Sequence, residues 1–133
     1  MNEKLFEERA LEARRLKESG AYNCAQAVAI ALKDEAGLDE ETLGSLTAGF
    51  CAGMGTQKAT CGALVGANMV LGLKTNRRGT LRFSASMFRE FESRCGASIC
   101  KDLKTLVDGK PLCPCGECVY NAVISYYKAT ESL

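Results

Sequence analysis

Apolar residues recur at helical spacing along almost the whole chain, and no apolar–polar alternation lasts long enough to mark a strand. Only two prolines, Pro111 and Pro114, interrupt that pattern. A chain written this way is restricted to packing helix against helix. The expected fold is all-α, a compact single-domain bundle of about six or seven short helices around a buried central one. At 133 residues it forms one domain, residues 1–133, able to bury a core without disulfides.

The helices can be placed from their caps and inner stripes. The first spans Glu3 to Glu18, with Phe6, Ala10, Ala13 and Leu16 inward and Gly20 ending it. Asn23 caps the second, putting Cys24 in its first turn, and Gly37 stops it. Asp39 caps a third that runs into the glycine-rich stretch Gly49–Gly55. Thr60 caps a fourth, beginning at Cys61 and apolar nearly all round, which makes it the central helix. The fifth covers about Thr80 to Arg94, with Leu81, Ala85, Met87, Phe88 and Phe91 inward. Ser98 caps a short sixth that carries Cys100, Leu103, Leu106 and Val107 and ends at Gly109. The last begins near Cys115, with Val119, Ala122, Val123 and Tyr126 inward.

Eight cysteines and no histidine are placed on this frame. The first twenty residues are charged throughout, with no apolar segment before a cleavage site, so no secretory signal is expected. No apolar run approaches about 18 residues, so no membrane span is expected either. The expected compartment is the cytoplasm, where thiols stay reduced and many cysteines point to metal or redox chemistry rather than to staples. A net charge of +1 argues against a nucleic-acid partner. A redox partner protein is expected, and a homodimer stays open.

Cys24, Cys61, Cys100 and Cys118 each fall in the first turn of an expected helix. Free backbone N–H groups and the positive end of the dipole favour a thiolate there. Taken singly, each could be a small buried hydrophobe. Taken together, four such helix starts would form a pocket for a multi-thiolate centre. Cys113-Pro114-Cys115-Gly116-Glu117-Cys118 is the densest cluster, and Cys115 and Cys118 make a C-x-x-C at a helix start. Dithiol oxidoreductases and metal sites both use that spacing. Cys95 and Cys100 form a C-x-x-x-x-C that lacks the C-x-x-C expected after it in an iron–sulfur protein. Cys51, in the glycine-rich stretch, could be a further ligand or a resolving thiol. The lack of histidine removes Cys/His zinc sites and Cys–His catalysis, and leaves an all-cysteine zinc site standing.

The segments Asn23-Cys24-Ala25-Gln26, Cys61-Gly62-Ala63-Leu64-Val65-Gly66, Cys100-Lys101-Asp102-Leu103 and Cys118-Val119 together resemble the C_GCAxxG_C_C family. The resemblance runs from about residue 20 to 127. The family name spells Gly-Cys-Ala where this chain reads Cys61-Gly62-Ala63. The rival stretch Cys51-Ala52-Gly53-Met54-Gly55 lacks the leading glycine, and a cap and a buried helix favour Cys61. The resemblance implies redox activity and names no substrate. Three readings follow. The first is an electron-transfer protein whose Cys24, Cys61, Cys100 and Cys118 hold an iron–sulfur cluster, with Cys51, Cys113 and Cys115 as further candidate ligands. The second is a dithiol–disulfide oxidoreductase, an enzyme, using Cys115 and Cys118. The third is a zinc-stabilised interaction module without chemistry. Arg78, Arg82 and Arg89 share a helix face that reads as solvated surface.

Overall fold

The computed structural model describes residues 2–133. Its order is α1 (Glu3–Glu18), α2 (Cys24–Ala31), α3 (Lys33–Ala36), α4 (Glu40–Thr47), a 3-10 turn (Ala48–Phe50), a π-type turn (Gly53–Gln57), α5 (Gly62–Thr75), α6 (Thr80–Cys95), α7 (Cys100–Leu103), a hairpin of β1 (Leu106–Val107) and β2 (Lys110–Pro111), and α8 (Cys115–Thr130). The fold is all-α apart from that small hairpin. Six of the helices have eight or more residues, while α3 and α7 are single turns. Among the described residues, no helix is long and apolar enough to cross a membrane.

The C-terminal helix α8 ties the bundle together. It packs against α1, α2, α5 and α6. Its inner side carries Cys118, Val119, Ala122, Val123, Tyr126 and Tyr127, all buried. Tyr127 stacks on Phe6 of α1 with ring centroids 4.2 Å apart. Tyr126 is fully enclosed, and its hydroxyl donates to Glu35 Oε1 at 3.2 Å, so its polar end is satisfied at the core edge.

Four expectations need correction. The helix expected to run from Cys24 to Gly37 breaks at Leu32, whose φ of −98° and ψ of 18° start the separate turn α3. On α6 the buried stripe is Phe83, Met87, Phe91 and Cys95, one residue every four. Leu81 is 84% exposed, and Ala85 and Phe88 face out. The central helix α5 is buried along Leu64, Ala67, Val70 and Leu71, yet its Leu73 lies on the outside. The sixth helix stops at Leu103, and Leu106 and Val107 belong to the hairpin. Asp108 (φ +54°) and Gly109 (φ +80°) make the two-residue turn that matches strand twist, which a helix-ending glycine mimics in sequence.

Candidate sulfur centre

The site starts from the close approach of α2 and α5. Asn23 accepts from the Gln26 N–H at 2.8 Å, and Gln26 Oε1 accepts from the Asn23 N–H at 3.0 Å. This reciprocal cap fixes the start of α2 with Cys24 as its first residue. The same two side chains reach α4 and the turn after it: Asn23 Nδ2 donates to Ala48 O and Gln26 Nε2 to Gly44 O, both at 3.1 Å. On α5, a Cβ at Gly62 would lie 2.5 Å from Phe50 O and 2.6 Å from Cys24 Sγ. A Cβ at Gly66 would lie 2.6 Å from Ala25 O. Only glycine fits at these two places. The Cys-Gly-Ala-x-x-Gly spacing is therefore a packing device that brings Cys24 and Cys61 together.

A single β-bridge sets the next pair. Thr60 faces Ile99, the Cys61 N–H donates to Ser98 O at 2.8 Å, and the Cys100 N–H donates to Ala59 O at 3.0 Å. Thr60 and Ser98 are thus held by the bridge and cap nothing. Cys61 itself is the N-cap of α5, and Ile99 that of α7. Beside them the chain makes a left-handed run: Ala52, Gly53, Met54 and Gly55 have φ of +51°, +58°, +59° and +78°. Alanine and methionine pay a steric penalty of about 1–2 kcal/mol each in that region. In return the Ala52 N–H donates to Cys24 Sγ.

The hairpin supplies the remaining sulfurs. Leu112 N–H donates to Thr105 O at 2.9 Å and Cys113 N–H to Leu103 O at 3.0 Å, turning Cys113 inward. Pro114 then caps α8, which begins at Cys115 and carries Cys118 one turn later.

Cys24, Cys51, Cys61, Cys100, Cys113, Cys115 and Cys118 all line one cavity of about 140 Å³. All eight cysteines are free thiols. Lys17 and Lys104 are the cations at its wall. Cys95 stands behind it. Its sulfur, with those of Cys113 and Cys118, forms a buried group whose atoms all lie within 4.8 Å of one another, close enough to hold a metal ion. Asn121 Nδ2 donates to Cys95 Sγ at 3.5 Å. Sequence spacing alone leaves Cys95 outside the expected ligand set. The every-fourth-residue stripe Phe83-Met87-Phe91-Cys95 was the signal that points this thiol inward.

Comparison with known families matches residues 22–128 to the model described as "Putative redox-active protein (C_GCAxxG_C_C)". The chain belongs to this family. No curated protein and no solved structure matches it. The C_GCAxxG_C_C match spans every cysteine of the cavity and Cys95 as well.

Charge among these cysteines is uneven. Burial, then the neighbouring Cys61, pushes the Cys24 thiol up to about 11. Burial also raises Cys100, against the pull of Lys104. Burial works against the Lys104 charge, but Cys100, Cys115 and Cys24 outweigh it and its ammonium is held. Cys61 is lowered, first by a hydrogen bond from Cys118 and then by the N–H groups of Ala63 and Leu64 at the start of α5. Cys113 is lowered by hydrogen bonds from Cys118 and Cys95. The Cys118 S–H donates to the Cys113 carbonyl at 3.4 Å, and the crowding of Cys113, then Cys61 and Cys95, about its sulfur raises its thiol, as Cys113 raises that of Cys95. The thiolate form is thus favoured at Cys61 and Cys113 and disfavoured at Cys95 and Cys118. A soft cation is the natural replacement for protons shared in this way.

Proposed function

We propose that this protein is a small electron-transfer protein that holds an iron–sulfur cluster in its sulfur-lined cavity, with Cys24, Cys61, Cys100 and Cys118 as the leading ligands. One observation carries the reading: seven thiols face a single hollow of about 140 Å³. A lone tetrahedral zinc, at about 2.3 Å from each sulfur, draws its ligands to about 3.8 Å apart and leaves no hollow. A cavity this size has room for several water-sized groups, which suits a multi-atom inorganic core better than one ion.

A cluster bound there would supply one-electron chemistry. The chain's own part is to ligate, to exclude water and to set the potential. The N–H groups of Ala52, Ala63 and Leu64 donate to sulfur and favour the more negative, reduced state. Lys104 and Lys17 at the wall act in the same direction. A dithiol mechanism through Cys115 and Cys118 is poorly served, because Cys118 is 3% exposed and its thiol is raised rather than activated.

Anaerobic purification followed by iron and acid-labile sulfide analysis tests this. Coloured protein that bleaches on reduction, with iron lost in Cys24→Ser and Cys100→Ser, is the expected result. Colourless protein that takes up no iron and sulfide on anaerobic reconstitution overturns it.

A further inference from the structure

We infer that Cys95, Cys113 and Cys118 form a second site, at the back wall of the cavity, that binds one soft divalent cation of the zinc type through three thiolates. Cys113 and Cys118 are shared between this site and the cavity wall, and Cys95 belongs to this site alone.

Each of the three sulfurs arrives on a different element. Cys95 ends α6, Cys113 leaves the hairpin and Cys118 sits in the first turn of α8. All three are at least nine-tenths buried, at 4%, 5% and 3% exposure. Their sulfurs lie within 4.8 Å of one another, near the separation that a single tetrahedral ion imposes. Cys95 does not line the cavity, so no ion in the cavity could use all three. Cys61, whose sulfur meets that of Cys118, is a candidate for a fourth position. Asn121 bonds to the Cys95 sulfur from one turn beyond Cys118, as an outer-shell group that orients a ligand does. A thiolate has lone pairs enough to bind two soft metals, so Cys118 can serve both sites. Binding replaces the protons of the thiol group with the cation, and those protons go to solvent.

The experiment uses the full chain, reduced and freed of cluster, titrated anaerobically with cobalt(II). Cobalt in a tetrahedral thiolate field absorbs strongly in the visible and reports its ligands. The expected result is one equivalent of cobalt with thiolate absorption. Cys95→Ser should weaken binding more than tenfold and Cys24→Ser should leave it in place. Asn121→Ala removes no ligand sulfur, only the bond to Cys95, and should keep the spectrum while weakening affinity about tenfold to hundredfold. Absorption unchanged in Cys95→Ser, lost equally in Cys24→Ser, or absent from the unmodified chain overturns the inference. The outcome is independent of the cluster: colourless purified protein that still binds cobalt here sinks only the cluster, and coloured protein that does not bind it sinks only this site.

Discussion

The sulfur of Cys24 lies 2.6 Å from the point where a side chain on Gly62 would begin, and Phe50 O lies 2.5 Å from the same point. Real Cβ atoms do not approach backbone that closely. Gly62→Ala must therefore push α5 away from α2, costing about 3 kcal/mol and separating Cys24 from Cys61. Gly66→Ala, at 2.6 Å from Ala25 O, should cost a similar amount. Gly72, on the same helix with nothing within 4 Å, is the control. Gly72→Ala should gain about 0.5–1 kcal/mol from helix propensity alone. Urea midpoints of the three variants check the contrast, and metal content should fall only in the first two.

Gln26 makes two bonds that no other residue replaces, to the Asn23 N–H and to Gly44 O. Gln26→Ala should destabilise the fold by about 1–2 kcal/mol, measured by chemical denaturation. Hydrogen exchange should rise together in the first turn of α2 and the last turn of α4. A change confined to α2 would show that the side chain is only a cap.

The reduced, metal-free protein should lose stability in alkali. Cys24 keeps its proton in the fold up to about 11, against an ordinary value of 9.0. Unfolding above pH 9 therefore releases a proton, so stability from this group is fully present below about 9 and lost as pH rises through about 11. Two units correspond to about 3 kcal/mol. Cys95 is displaced in the same direction. Cys113 is displaced the other way, so its contribution is present above the ordinary thiol range and falls as the solution is acidified. Melting temperature against pH, in the presence of a reductant, should peak near the ordinary thiol range.

Gly109 has φ of +80° at the tip of the hairpin, four residues before Cys113. Gly109→Ala should cost about 1 kcal/mol through that angle alone. The hairpin aims Cys113, so its alkylation rate should rise while that of Cys24 stays unchanged. Mass spectrometry of the labelled peptides separates the two.

Much of this could be read from the residues because it is local. Asn23 and Gln26 announce the start of α2 within four positions, and Glu3–Glu18 carries its own inner stripe. That Cys24 and Cys118 stand near helix starts is legible for the same reason. What escaped was non-local. Thr60 looks like a cap, but its backbone is committed to Ile99, nearly forty residues on, and Cys61 takes the role instead. Leu106 and Val107 fit a helical stripe, and the Asp108-Gly109 turn overrides them. Cys95 reads in sequence only as half of a C-x-x-x-x-C with Cys100, because Cys113 and Asn121 reach it only through the fold.

Residues that wall the sulfur cavity come from Lys17 in the first helix through to Cys118 in the last. A ribosome must release nearly the entire polypeptide before that enclosure exists. Anything held there could therefore be installed only after synthesis, and until then the thiols lie open along an unfolded chain.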